Sequence, residues 1–356
     1  MRRENTQLAD AAPDAAPVTT SDTTPGTGPD AAPAPPSEAH RVLSSYTGYP
    51  DIPNGRPCGM WAYTMANASR KRTFTQHPDG HVVRHTPGTR PVAGARTYSV
   101  DVPYWDPEAR RRPALYYAAI ETDPTGIMVP SLPKGTQDLL AHRHGECLRI
   151  ELGQKRQLME VVRDFAARPE LPTLRHGIDP ALRRMAEINA LHEQVVTLLL
   201  ERGYSVEVES VFRTAVRETR EEHGFDFLKE GAKVRNCLAF VGMALSKRSP
   251  AVPIEHFIYA VQVDDFDDTL PRVSRIVEEK DPTRDGCVYE ERGVFLTLDE
   301  MDRRLSDAAA RVAAEPASRT TTTAAARATE LRVARSRLAM LRRIEEKLLG
   351  FLPAFS

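Results

Sequence analysis

The stretch VRETREEHGF, residues 216–225, carries Glu218, Glu221 and Glu222 within two turns of a predicted helix. Residues three and four apart share a helix face, so the three carboxylates project together. Like charges at these spacings destabilise an exposed helix by only a few tenths of a kcal/mol each, about what a solvated acidic surface tolerates. Two features add weight. Glu221 and Glu222 fall in the last turn, where the helix dipole disfavours anions by about 0.3–1 kcal/mol apiece. Arg217 and Arg220 stand among them, so the patch is structured rather than uniformly acidic. A divalent cation reverses the penalty, because clustered carboxylate oxygens suit Mg²⁺ or Mn²⁺, ions that clamp phosphate oxygens.

The helix that positions these groups has its own signals. Ser210 is suited to the N-cap and Gly224 to the C-terminal end. Phe212, Ala215, Val216 and Thr219 form a separate stripe that can face a core. Around the helix, "CGMWAYT" (58–64), "RTYSVDVPYW" (96–105), "ALYYAAIE" (114–121), "VRNCLAFVGMAL" (234–245), "IEHFIYAVQV" (254–263) and "GVFLTL" (293–298) read as strands. A turn, "TDPTG", leads from the third of these into "IMVPSLPKG" (127–135), a short strand ending in a Lys-Gly loop. Residues 136–202 read mainly as helix. One segment is 154–168, and another opens at Asp179 and Pro180 and closes at Gly203. A further helix begins near "DEMDRRL". An Ala/Thr-rich run at 313–328 then separates it from a last amphipathic helix, 330–352. Its apolar face suits packing on the domain or on a second copy of the chain in a homodimer.

The 356 residues suffice for one large domain or two ordinary ones. With 48 Lys+Arg against 49 Asp+Glu there is no global pull toward nucleic acid or an anionic membrane. No basic, aromatic-interleaved stretch points to RNA, and no apolar run reaches membrane-spanning length. Cys58, Cys147, Cys237 and Cys287 are far apart and form no CxxC pair, which fits a reducing compartment and hence the cytoplasm. His142, His144 and Cys147 match no standard metal-ligand spacing. Residues 1–40, rich in Ala, Pro, Thr and Asp with DAAP recurring, have too few large apolar groups to offset ordering entropy and are expected to form a disordered tail. The alternative for that tail is an unstructured leader of an exported bacterial effector.

With these residues in place, the segment resembles the Nudix box, G-x5-E-x7-R-E-U-x-E-E-x-G-U, where U is a bulky apolar residue. Glu209, then seven residues, then Arg217, Glu218, Thr219, Arg220, Glu221, Glu222, His223, Gly224 and Phe225 follow that pattern, with Thr219 standing at an apolar position. A chance match to its fixed positions from Arg217 to Gly224 should occur in roughly one chain per thousand or fewer. Two glycines can open the box. Gly203 has the five-residue spacing to Glu209 but also reads as the cap of the preceding helix. Gly135, in "LPKG" (132–135), resembles the opening in the branch that hydrolyses diadenosine and diphosphoinositol polyphosphates. Taking Gly135 makes residues 136–204 a helical insertion that splits the box loop.

The resemblance implies an α/β fold, a Nudix-type α/β/α sandwich with a mixed sheet, over residues 41–312, followed by a linker and C-terminal helix (313–356). It implies a Mg²⁺- or Mn²⁺-dependent hydrolase that cleaves the diphosphate linkage of a phosphorylated small molecule. Glu218, Glu221 and Glu222 would then be metal ligands, one of them alternatively the general base. Arg217 would pair with Glu209 or a box glutamate and orient the carboxylates. Lys134 and Gly135 would meet the substrate phosphates. Glu290, Glu291, Asp264 and Asp265 are candidates for a further ligand or base. The alternative class is a catalytically silent module that binds a nucleotide or a protein.

Overall fold

The computed structural model describes residues 36–78, 82–123, 129–166, 180–223, 234–263, 274–278, 288–314 and 321–352. The chain divides into Met1–Pro36 and Ser37–Ser356, and every element below belongs to the second unit. The segment read as a tail lies outside the described residues up to residue 35. At its end Ser37 caps α1 (Glu38–Leu43), its side chain accepting a hydrogen bond from the His40 amide.

Strand β1 (Cys58–Ala66) is buried at every residue but Met65, as a strand covered on both faces must be. It pairs in parallel with β12 (Ile254–Val263) and antiparallel with β5 (Ala114–Asp123), so the sheet is mixed. β11 (Val234–Ala244) extends one side; β14 (Val288–Leu296) and β13 (Ser274–Glu278) extend the other, in the order β11-β12-β1-β5-β14-β13. Alternation along β1 sends its side chains to two cores. Met60 and Ala62 pack with Ala215 and Val216 of α4 (Val211–His223). Trp61 and Tyr63 pack on the opposite face with Met301 and Leu305 of α5 (Leu298–Ala314) and with Leu338, Leu341 and Ile344 of α6 (Thr321–Phe351). Trp61 stacks on Tyr117 there, ring centroids 3.7 Å apart. The sheet thus lies between α4 and the α5–α6 pair.

The C-terminal helix docks on this chain's own sheet. The Tyr117 hydroxyl donates to Glu345 Oε1 at 3.0 Å, the Leu245 amide donates to Ser336 Oγ at 3.0 Å, and Arg342 reaches Asp299 at 3.0 Å and Asp302 at 3.3 Å. Gly242 admits Met340 so closely that a methyl at that position would come within 2.7 Å of its sulfur. The Ala/Thr-rich run, read as a separator to residue 328, already contains the start of α6 at Thr321, consistent with alanine being the strongest helix former.

β1 and β5 diverge, and the wedge between them holds β6 (Val129–Ser131), paired with β5, and β7 (Lys134–Gly135), paired with Cys58 and Gly59 of β1. A methyl at Gly59 would lie 2.7 Å from the Pro133 carbonyl oxygen, so this approach needs glycine. Beside the main sheet, β2 (Ala68–Gln76), β3 (Val82–Arg84) and β4 (Arg96–Tyr104) form an antiparallel sheet whose Val102 joins the α4-side core.

The expected helical insertion, read as mainly helix over 136–202, needs correction. It opens with a hairpin, β8 (Asp138–Arg143) and β9 (Glu146–Glu151), and closes with β10 (Ser205–Val208) paired to β8. His144 and Gly145 both take positive φ, +49° and +86°, as a two-residue type I′ turn requires. Leu139, Leu140, Leu148 and Ile150 fit either a helical or an alternating period, and the His-Gly turn decides between them. Two helices follow as expected, α2 (Lys155–Phe165) and α3 (Pro180–Glu201), while Asp179 lies outside the described residues. Leu139, Ile150, Leu158, Val162, Leu191 and Val195 make a core of their own with Leu43 and Tyr46. Among the described residues no helix is long and apolar enough to cross a membrane.

Candidate active site

Helix α4 starts at Ser210, whose hydroxyl accepts from the Arg213 amide at 3.3 Å. Ala215, Val216 and Thr219 are buried, the stripe expected to face the core. That registration sends Arg217, Glu218, Glu221 and Glu222 toward β7 and the insertion. Gly224 and Phe225 lie outside the described residues.

Arg217 is the hub. Its Nε and Nη2 donate to Glu209, with Nη2–Oε2 at 3.0 Å. Nη2 also reaches the Thr136 carbonyl at 3.1 Å and Asp138 Oδ2 at 3.3 Å. Nη1 donates to Glu218 Oε1 at 2.5 Å and Glu221 Oε2 at 3.2 Å. Glu209 is anchored further by the Thr214 hydroxyl at 3.0 Å. Burial works against the charge on Arg217, but the hydrogen bonds to Glu209 and the fields of Glu218 and Asp138 more than offset it and raise its pKa. Burial pushes Asp138 up to about 7, with Arg217 opposing and Glu209 adding. Burial also raises Glu218, again with Arg217 opposing, while Glu221 and Glu209 add to the rise.

The geometry separates the two candidate glycines. Gly135 lies under Glu218 so closely that a methyl there would fall within 2.7 Å of both carboxylate oxygens. Gly203, at φ +77°, closes α3. Its amide donates to the Leu200 carbonyl at 2.9 Å and the Tyr204 amide donates to Leu199 at 3.0 Å, the paired bonds of a Schellman cap. Nothing lies within 4 Å of a methyl at Gly203.

The two ends of the insertion meet beside Arg217. The Glu209 amide donates to the Asp138 carbonyl at 2.8 Å, and Gln137 Nε2 donates to the Glu209 carbonyl at 2.6 Å. Gln137 Oε1 accepts from the Thr47 amide and hydroxyl at 2.8 and 2.7 Å. Motif residues far apart in sequence are thereby brought into one cluster.

Gly135 and Thr136 form a ridge between two hollows. The acidic one is lined by Asp138, Glu151, Glu218 and Glu221 with Arg149, Arg217 and Arg248. Arg149 pairs with Glu221 at 3.4 Å and with Asp138 at 3.7 Å. Glu222 lines the other hollow, together with Lys134, Lys247, Arg248 and Arg337. The three glutamates expected on one patch therefore divide around Gly135. Lys134, expected at the substrate phosphates, lines the second hollow with its ammonium turned back to Ser131 Oγ at 2.8 Å and the Leu132 carbonyl at 3.1 Å. Burial, with Arg337 adding, lowers its pKa to about 7 against the pull of Glu222.

The donor set suits a hard divalent cation in kind: all carboxylate oxygens, with Asp138, Glu209, Glu218 and Glu221 outnumbering the guanidinium groups of Arg217 and Arg149. Gly135 leaves room for the Glu218 carboxylate where any side chain would displace it. As the side chains stand, Arg217 closes on one oxygen of Glu218 and one of Glu221. Among the described residues no three His, Cys, Asp or Glu side chains are grouped to hold a metal.

Sequence reading missed Asp138, Arg149, Arg248 and Arg337. None lies in a motif; the hairpin brings Asp138 and Arg149 to the cleft, the connection between β11 and β12 brings Arg248, and the docking of α6 brings Arg337. Glu290 and Glu291 fall on β14 with side chains outside the described residues, as do Asp264 and Asp265 altogether. Cys58, Cys147 and Cys237 are free thiols. No family model matches the chain, and neither the curated proteins nor the solved structures give a significant match to it.

Proposed function

We propose that the chain is a Nudix-type hydrolase, with Mg²⁺ or Mn²⁺ as cofactor, that cleaves a phosphoanhydride in a phosphorylated small molecule such as a dinucleoside polyphosphate or an inositol pyrophosphate. The observation that carries this reading is Gly135 against Glu218. The glycine of "LPKG" and the glutamate following Arg217 are 83 positions apart in number, yet they meet, which supports Gly135 as the opening glycine of the motif. Support also comes from Arg217, which joins Glu209, Glu218 and Glu221, the orienting task expected of it.

Glu218 and Glu221, which line the acidic hollow, would hold the cation, while Glu222, expected as a third ligand, lines the basic hollow instead. When bound, the cation neutralises charge on the bridging oxygen and makes a water nucleophilic at neutral pH. Arg217 holds Glu218 and Glu221 in register through one oxygen of each carboxylate. Gly135 presents backbone rather than a side chain to the reacting phosphates, and the insertion walls the acidic hollow with Asp138, Arg149 and Glu151.

One observation favours a second reading, a silent nucleotide- or protein-binding module: Arg217 occupies oxygens that the cation would need, and no three-carboxylate grouping is preformed among the described residues. Phosphate release from a panel of phosphoanhydrides separates the two. A hydrolase turns over at least one compound with Mg²⁺ and none in EDTA, and Glu218→Gln lowers that turnover about a hundredfold or more. A module binds without turnover.

A further inference from the structure

Across the Gly135–Thr136 ridge from the acidic hollow, the second hollow carries the opposite charge. Among the described residues, Lys134, Lys247, Arg248 and Arg337 line it against one carboxylate, Glu222. Three separate parts of the chain supply these cations: β7, the connection between β11 and β12, and the C-terminal helix α6. Lys247 is balanced by Glu330 at 3.1 Å. Arg337 has a buried Nε with no hydrogen-bond partner among the described residues. A buried donor left without an acceptor is destabilising, and an acceptor oxygen supplied by a ligand would relieve it.

Arg248 links the two hollows, since it lines both. One of its amines reaches the Asn54 carbonyl at 3.4 Å, and the guanidinium lies against Gly153, where a methyl would collide with it. Its planar fork is therefore held at the ridge. A planar fork suits bidentate capture of phosphate, which a lysine ammonium cannot reproduce.

We propose that this basic hollow binds further phosphate groups of the substrate, so that the compound cleaved carries phosphates beyond the hydrolysed linkage. The proposal rests on the hydrolase reading for its catalytic half, but the anion site itself stands independently. Arg248 holds the group next to the ridge, Arg337 the group deeper in, and α6 is part of the substrate site rather than an appendage.

Two measurements test it. The first is calorimetric titration of the full chain with inorganic tripolyphosphate in EDTA. Arg248→Ala weakens binding about tenfold and Arg248→Lys restores only part of it. Arg337→Met weakens it similarly, provided that its melting curve matches wild type; if it does not fold, the Arg248 pair decides. The second is the ratio of kcat/KM for diadenosine tetraphosphate over that for ADP-ribose, which carries no phosphate beyond its diphosphate. Arg248→Ala lowers that ratio about tenfold. Unchanged tripolyphosphate affinity in Arg248→Ala, or equal losses on the two substrates, overturns the proposal. Should nothing be hydrolysed while tripolyphosphate binding still depends on Arg248, the hydrolase reading fails and the anion site survives.

Discussion

Gly135 and Gly203 both satisfy a sequence criterion for the glycine that opens the motif, and they make opposite demands. Gly135 needs the absence of a side chain because the Glu218 carboxylate occupies that space. Gly203 needs its positive φ and has open space around it. The nearest atoms a methyl at Gly135 would meet are those at the movable end of Glu218. Gly135→Ala is therefore expected to unfold within about 1 kcal/mol of wild type while losing about a hundredfold or more in turnover. Gly203→Ala is expected to lose about 1–2 kcal/mol from the strained cap and to keep its turnover. Denaturant melts and kcat/KM on the two variants check both halves, and the reverse assignment would mean that the motif opens at Gly203. The pairing of Arg217 with Glu209 and the helix glutamates could be read from the sequence, because only its position relative to them mattered. Asp138 could not, since its approach to Arg217 depends on the insertion folding back on itself.

At the scale of elements, the insertion is a splice. Its ends are held by the Asp138–Glu209 backbone bond and by Gln137, which reaches Thr47, Ser45 and Glu209. Gln137→Ala strands the buried Glu209 carbonyl and the Thr47 amide. The expected loss is about 2–4 kcal/mol in urea unfolding together with reduced turnover. A loss below about 0.5 kcal/mol would mean that water replaces the side chain without cost. Helix α4, strands β1, β5, β11, β12 and the end of β14, and helices α2 and α3 were legible from periodicity and caps, whereas β13 was not read from the sequence. The hairpin Asp138–Glu151 was not, because Leu139, Leu140, Leu148 and Ile150 around a His-Gly pair fit two periods equally. Its turn chemistry was the available signal. The early start of α6 was hidden by threonines that weaken a helix reading although alanines outnumber them over residues 321–328.

At the scale of the whole molecule, the sheet brings groups from distant segments into mutual titration. His256 on β12 is fully buried; burial, with Arg337 and Lys134 adding, lowers its pKa to about 3. Between that value and the unfolded value of about 6.5 the unfolded chain binds the extra proton, so this residue makes stability rise with pH across the window. Asp138 does the reverse, because its pKa is raised to about 7 and the native state holds the proton above the unfolded value. The two slopes oppose each other between about pH 4 and 6.5. His256→Gln should therefore expose a stability that falls as pH rises there, by up to about 1.4 kcal/mol per pH unit, while wild type stays flatter. Parallel wild-type and variant curves from urea melts at several pH values would refute the assignment. Which face α6 covers was open in the sequence, since an amphipathic helix suits its own domain or a partner equally. Tyr117, Ser336 and Gly242 settle it for this chain.

The most direct measurement is initial-rate hydrolysis of a phosphoanhydride substrate as Mg²⁺ is titrated into metal-free wild type and Glu221→Gln. The expected result is saturable activation of wild type. In Glu221→Gln, half-activation should shift at least about tenfold upward or turnover should be lost, because Glu221 would be one of the cation's ligands. Rates that ignore Mg²⁺, or a Glu221→Gln variant activated at the same concentration as wild type, would contradict a cation held on helix α4.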